Sequence, residues 1–262
     1  MRQFHSFGAD PVRDAQIRTV ASRGAEKILS KIQKDLKRPA VIDEIARTGE
    51  YNFALELDEK DFKSLGLPTP AWISIMLAGE DHYSLRGEKD VQAAWDPRLH
   101  SIALFTLPPK PHLYVQVRRG RREIHKVFSK YSRSLKQSLL HEVVHYIDYL
   151  RGNDTMASLV EKQAILNEKL SKEEAYIAYI NTPHEFNAFF QQGLAETWHL
   201  LITQKRHDRA RTMASFDKFL ALALRTPAFT ELSKSLDKRF AKKMLSRLAQ
   251  TFTYWNEIGT WR

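Results

Sequence analysis

Apolar residues recur at helical spacing over the first forty positions of the chain. Their period is close to 3.6 residues, which predicts a helix that Pro39 cannot continue. Residues 41–90 follow no single period, and the run "AWISIMLAG" (71–79) fits a buried helix as well as a strand. We therefore expect an N-terminal, mainly helical region over residues 1–90. The residues that define the first helix are Ala15, Ile17, Val20, Ala21, Ile28, Leu29 and Ile32.

The pattern changes near residue 91 to short apolar runs separated by breakers. "SIALFTL" (101–107) and the alternating "HLYVQVRR" (112–119) predict strands, and "EIHKVF" (123–128) predicts a third strand that forms a hairpin with the second. Beyond Lys130 the spacing is helical to the C-terminus, with breaks at 152–154, 181–183 and Pro227. These elements predict an α+β fold in which residues 91–262 form a small mixed sheet followed by a mainly helical part.

The segment "LLHEVVHYIDYLRG" (139–152) places two histidines four positions apart on a predicted helix. On a helix that turns 100° per residue, His141 and His145 lie about 40° apart, so both imidazoles can face one point. Asp148 extends that face by three residues. The other side carries an apolar stripe that predicts packing into a core, formed by Leu140, Val143, Val144 and Ile147.

This H-E-x-x-H pattern is typical of a catalytic zinc site. Two neutral imidazoles supply nitrogen ligands to Zn²⁺, and Glu142 is placed to accept a proton from water that the metal activates for attack on an amide carbonyl. The chain has no cysteine, so the remaining ligands must be histidine or carboxylate. The same three residues also suit a helix surface, which leaves a purely structural role open.

A catalytic zinc site needs a third protein ligand, and "NTPHEFNAFF" (181–190) offers two. Glu185 is one candidate and His184 is the other; they lie about 100° apart on a helix that begins at Thr182 or Pro183. Thr182 and Glu185 also match the T-x-x-E capping box, which needs no metal. The metzincin pattern is excluded because Asp148 and Arg151 stand where it requires glycine and histidine.

"HEVVH" followed by Asp148 and later by "EFNAFF" resembles the gluzincin metallopeptidases, and most closely the anthrax lethal factor-like peptidases. The resemblance covers roughly residues 100–200. It implies a zincin-like domain with His141, His145 and Glu185 as zinc ligands and Glu142 as the catalytic base. In one respect the chain departs from the pattern: Phe189 stands where many gluzincins carry an acidic residue, and Asp148 is the alternative hydrogen-bond partner for a ligand histidine.

The resemblance also implies a tyrosine near the site that stabilises the oxyanion. Tyr179 is the residue we assign to this role, with Tyr176 as the other candidate and core packing as the alternative for both rings. Glu196 and His199 lie farther along the Glu185 helix, and His199 is about 21 Å beyond Glu185 at 1.5 Å per residue. We expect both to be surface or supporting residues.

The chain of 262 residues carries a formal charge of +10, which favours anionic partners such as nucleic acid or an acidic protein. Residues 118–136 hold eight basic residues and one acid, and a second basic region spans residues 205–247. No apolar run approaches the ~20 residues of a membrane helix, and the N-terminus lacks the pattern of a secretory signal, so we expect a cytoplasmic location.

Two functions follow as expectations. The first is a zinc metallopeptidase that aligns a protein or peptide substrate along an edge strand, formed by residues 101–107 or 112–118. The second is a nucleic-acid-associated protein in which "RRGRREIHK" (118–126) is a phosphate-binding hairpin and the H-E-x-x-H motif is structural or vestigial.

Overall fold

The computed structural model describes residues 10–79, 93–96, 101–107, 122–152, 170–259 and 261. It confirms a mixed α+β fold with a small four-stranded sheet and a mainly helical remainder. The chain forms two compact units, one of Val20–Leu159 and one of Met1–Thr19 with Val160–Arg262. The predicted domain boundary between residues 90 and 91 lies outside the described residues.

The chain begins with two helices that a proline separates. Helix α1 spans Pro11–Asp35, and the Asp10 side chain accepts hydrogen bonds from the first free N–H groups of this helix. Helix α2 spans Pro39–Thr48, with Pro39 in the first turn. The N–H groups of a first turn have no acceptor within the helix, so a proline costs no hydrogen bond there. Pro39 therefore ends the first helical pattern, as predicted, and also starts the next helix.

The sheet contains β1 (Tyr51–Glu56), β2 (Trp72–Gly79), β3 (Ala93–Asp96) and β4 (Ser101–Leu107) in the order β1-β2-β4-β3. Strands β2 and β4 are parallel, and the two outer pairs are antiparallel. The short helix α3 (Glu59–Ser64) connects β1 to β2. Two strands therefore come from the region predicted to be mainly helical.

Burial explains why residues 72–79 form a strand. Ile73, Ile75 and Leu77 are buried, whereas Trp72 and Ser74 are exposed, which is the two-residue alternation of a sheet with one covered face. The strand predicted at 101–107 is confirmed as β4. Its expected role as the substrate-binding edge is wrong, because β4 lies between β2 and β3. The alternative strand, residues 112–118, lies outside the described residues.

The motif helix is longer than the sequence pattern indicates. Helix α4 spans Arg122–Gly152, so the strand predicted at 123–128 is wrong and the phosphate-binding hairpin predicted at 118–126 cannot form over residues 122–126. Six residues are too few to separate the two periods, and no proline or glycine interrupts the segment before Gly152. A helix that is already nucleated then extends at little further cost.

Helix α4 packs against the sheet through the predicted apolar stripe. All four stripe residues are buried, and Tyr146 donates a hydrogen bond to the Trp72 carbonyl at 3.0 Å. The Trp95 and Tyr146 rings lie 5.2 Å apart, and a Cβ at Gly24 of α1 would lie 3.2 Å from the Val143 side chain. These contacts fix the rotation of α4 about its axis.

The other unit holds the C-terminal helices, which surround an aromatic core of Phe186, Phe190, Phe219, Phe229, Phe240 and Trp255. The predicted breaks at 181–183 and Pro227 are confirmed, because Pro183 and Pro227 each open a helix. No helix in the described ranges is both long and apolar enough to cross a membrane. The helices are α5 (Lys172–Ile180), α6 (Pro183–Thr203), α7 (Arg206–Met213), α8 (Phe216–Ala223), α9 (Pro227–Ser235) and α10 (Lys238–Ile258).

Candidate metal centre

The two motif histidines converge as the helical spacing predicts. His141 and His145 are both buried on α4, and their Nε2 atoms lie 3.0 Å apart. The ring planes meet at 78°, with centroids 4.7 Å apart. Two ligands at 2.0–2.1 Å from a tetrahedral zinc ion are separated by about 3.3 Å, so the imidazole spacing is close to that of a zinc-bound pair.

Glu185 lies in the first turn of α6 and is buried. Thr182 is the N-cap residue of this helix, but its hydroxyl donates to the Tyr179 carbonyl at 2.8 Å and makes no capping hydrogen bond. The T-x-x-E capping box, which was the structural alternative for Glu185, is therefore not formed. The helix begins at Pro183, as predicted.

His141, His145 and Glu185 form a group that can hold a metal ion. One ring nitrogen from each histidine and one carboxylate oxygen from Glu185 all lie within 4.8 Å of one another. Two imidazoles and a carboxylate are donors that suit zinc, whereas Mg²⁺ and Ca²⁺ prefer oxygen ligands throughout. The three side chains therefore fit a divalent transition metal by donor type, spacing and burial.

His184, the competing ligand, is not a member of this group. Its Nε2 atom lies 3.4 Å from the Thr182 hydroxyl and 3.8 Å from Glu185 Oε1. The 100° rotation between neighbouring helical residues explains the difference, because only one of the two side chains can face a given point.

Two other acidic residues of the motif helix are buried with the histidines. Glu142, the predicted catalytic base, is 8% exposed, and Asp148 is 6% exposed. The Arg151 guanidinium lies 3.8 Å from Asp148 Oδ1. The roles assigned to Glu142 and Asp148 stay predictions.

The two candidate tyrosines lie on α5, with ring centroids 6.5 Å apart. Tyr179 is partly buried against the aromatic core. Tyr176 is 42% exposed and donates a hydrogen bond to Glu231 Oε1 at 2.9 Å. Burial raises the pKa of Tyr176, and the hydrogen bond to Glu231, the Glu231 charge and the Glu185 charge raise it further. The charge of Glu185 therefore acts on the Tyr176 hydroxyl, and the role predicted for Tyr179 stays untested.

The two residues farther along α6 differ in their surroundings. His199 is exposed, as expected. Glu196 is buried, and its carboxylate accepts hydrogen bonds from Gln192 Nε2 at 2.9 Å and from the Ala228 N–H at 3.1 Å. Glu196 therefore joins α6 to the first turn of α9 and is not a surface residue.

Part of the predicted basic surface is paired with carboxylates of the same chain. Lys136 pairs with Glu26 at 2.5 Å. Arg247 is 3% exposed, and its guanidinium binds the Asp14 carboxylate. The cations at 118–121 lie outside the described residues.

Sequence reasoning missed the contact that joins the start of α10 to the turn before Glu185. Asn181 Oδ1 accepts a hydrogen bond from the Asp237 N–H, and Asn181 Nδ2 donates to the Ser235 carbonyl, both at 2.8 Å. In the sequence, Asn181 precedes the Thr-Pro start of one helix and Asp237 precedes the start of another. Neither position indicates which residue it contacts.

Comparison with protein-family models, curated proteins and solved structures found no match for the chain. The resemblance to gluzincins therefore stays a prediction from the motif residues.

Proposed function

We propose that the protein is a zinc-dependent metallopeptidase that hydrolyses peptide bonds. The observation that supports this most strongly is the buried group of His141, His145 and Glu185, whose donor atoms lie within 4.8 Å of one another. Histidine and carboxylate donors in a three-residue set, with a glutamate beside the first histidine, are typical of catalytic rather than structural zinc sites.

His141, His145 and Glu185 would hold the ion. Bound zinc supplies a Lewis acid that lowers the pKa of water from 15.7 to about 7. Glu142 would accept the proton of the attacking water and pass it to the nitrogen of the scissile bond. The nitrogen can then leave as a neutral amine and not as an anion. Glu142 is 8% exposed and follows His141 on α4, which places it out of bulk water beside a proposed ligand.

Asp148 and a tyrosine complete the proposed machinery. Asp148 lies seven residues after His141 and three after His145, where its carboxylate would orient a ligand imidazole and fix its tautomer. Tyr179, or its neighbour Tyr176, would donate a hydrogen bond to the oxygen of the carbonyl under attack. The substrate class is a protein or peptide.

The experiment compares the parent protein with Glu142→Gln in a peptide-cleavage assay, with bound metal measured by elemental analysis. We expect about one zinc per chain in both proteins, chelator-sensitive cleavage in the parent, and a loss of about 10²–10⁴-fold in kcat for the variant. Glu257→Gln is the matched control, because Glu257 is an exposed glutamate on α10.

Glu142→Gln with parent activity would refute the catalytic assignment, and a parent that binds no transition metal would refute the metal site. Glu257→Gln should match the parent in metal content and rate. Its agreement with the parent shows that replacing a glutamate with glutamine is not in itself harmful.

A further inference from the structure

The start of α10 is hydrogen-bonded to the turn that precedes the Glu185 helix. Asn181 hydrogen-bonds to both Ser235 and Asp237, and it precedes Glu185 by only four residues. The hydrogen bonds tie the first residues of α10 to the turn from which α6 begins. Lys238 and Arg239 follow directly after this tie.

Side-chain packing holds the same two helix starts together. The ring of Phe240 on α10 packs on the ring of Phe186 on α6, with centroids 5.1 Å apart. Lys243 Nζ lies 5.4 Å from the centroid of the Phe186 ring. Phe186 is the residue after Glu185, so side chains from the first two turns of α10 contact the first turn of α6.

These two turns carry a dense positive charge. Lys238, Arg239 and Lys242 are exposed, and no carboxylate in the described part of the chain forms an ion pair with them. The sequence contains no acidic residue between Asp237 and Glu257. We call Lys238, Arg239 and Lys242 the α10 cationic face.

The acidic groups closest in sequence are already engaged. The Asp237 side chain accepts the Phe240 N–H at 2.8 Å, and Glu231 accepts the Tyr176 hydroxyl. The pKa of Lys243 is lowered by burial and by the charges of Arg247 and Arg239. Like charges thus oppose one another along this helix, and an anionic partner would relieve the repulsion.

We propose that the α10 cationic face binds acidic side chains of the substrate. This inference rests on the proposed peptidase function and specifies its substrate class as acidic peptide segments. The face spans one helical turn, about 6 Å, which suits one or two carboxylates. Tight duplex binding typically uses 6–10 phosphate contacts spread along the backbone, so this face is too small for that partner.

The test uses two fluorescent peptides of the same length, one with acidic and one with amide side chains around a common centre. Binding to zinc-loaded Glu142→Gln is measured by anisotropy, and cleavage by the parent is measured in parallel. We expect the acidic peptide to bind about tenfold more tightly, with an advantage that shrinks as salt rises.

The test variant is K238E/R239E/K242E, and the control is R206E/R211E/K218E, which changes the net charge equally. The control residues are exposed and belong to α7 and α8, which contact the other end of α10: Asn256 donates to the Met213 carbonyl, and Phe219 packs on Phe252. We expect the acidic preference to vanish in the test variant and to persist in the control.

Each outcome separates the two proposals. Cleavage without a preference for the acidic peptide, or equal loss in both triple variants, overturns the acidic-substrate inference and leaves the peptidase proposal intact. Selective acidic binding without cleavage supports the binding face and refutes the peptidase. A 20-bp DNA duplex that binds through the same three residues more tightly than the acidic peptide would overturn the inference in favour of nucleic acid.

Discussion

The Glu196 carboxylate is buried on α6, where it accepts hydrogen bonds from Gln192 and from the Ala228 N–H. Burial raises its pKa, and the hydrogen bonds oppose the shift without cancelling it. The folded state therefore holds the Glu196 proton more tightly than the unfolded state, whose glutamate pKa is about 4.3. The stabilisation that comes from protonated Glu196 is fully present below the unfolded-state pKa. It is lost as the pH rises through the folded-state pKa.

Glu196→Gln should accordingly gain stability relative to the parent as the pH rises above about 4.3, because glutamine does not titrate. The measurement is the urea midpoint of both proteins at several pH values between 4 and 8. Glu257→Gln, an exposed glutamate on α10, controls for the loss of one carboxylate. A difference between Glu196→Gln and the parent that stays constant or falls with pH would contradict the assignment.

At the residue scale, prediction from sequence succeeded where helical spacing alone decides the outcome. The angles of 40° between His141 and His145 and of 100° between His184 and Glu185 follow from the 3.6-residue period. Glu196 was not predicted to be buried, because its hydrogen-bond partner Ala228 lies on another helix, 32 residues later in the chain. Local spacing contains no information about such a contact.

At the scale of elements, a buried ion pair joins the first turn of α1 to α10. Arg247 donates to the Asp14 carboxylate through Nε at 3.1 Å and through a terminal nitrogen at 2.5 Å. Gln191 of α6 also donates to Asp14, and the Arg247 guanidinium lies 3.9 Å from the centroid of the Phe190 ring. These contacts connect α1 and α10 to α6, the helix that carries Glu185.

Replacing Asp14 or Arg247 alone leaves the other charge buried without its ion-pair partner, which costs about 3–5 kcal/mol. Replacing both with an apolar pair of similar volume is close to neutral. We expect Asp14→Leu and Arg247→Met each to lower the free energy of unfolding by that amount, and the double variant to lose clearly less than the sum. Chemical denaturation of the four proteins measures the coupling. Additive losses would mean that the two charges contribute independently.

The elements themselves were predicted best where they are long. The helical C-terminal half and β4 were anticipated, whereas "EIHKVF" was assigned as a strand although it belongs to the 31-residue helix α4. The apolar residues of this segment stand at 124, 127 and 128, a spacing that also fits a helix, and the residues that follow continue that helix. The order β1-β2-β4-β3 depends on pairings between distant segments, so the inner position of β4 could not be read from its own residues.

At the scale of the whole molecule, the proposed metal donors come from two helices, and Glu185 lies 40 residues after His145 in the chain. A ligand that binds only the folded chain stabilises it by about 4 kcal/mol at a thousand times its Kd. For a chain of this size that corresponds to a rise in Tm of roughly 8–16 °C. Zinc should therefore stabilise the protein against heat, because unfolding separates the three donors.

Zn²⁺ and Co²⁺ should raise the Tm of the metal-free protein, whereas Mg²⁺ and Ca²⁺ should not, because two of the three donors are imidazole nitrogens. Differential scanning fluorimetry with each chloride salt gives the shifts. Glu185→Ala should reduce the zinc shift strongly, and His199→Ala should respond as the parent does. A full zinc shift in Glu185→Ala would remove Glu185 from the ligand set. A shift with Mg²⁺ equal to that with Zn²⁺ would mean that the ion binds to carboxylates elsewhere on the chain and not to the paired imidazoles.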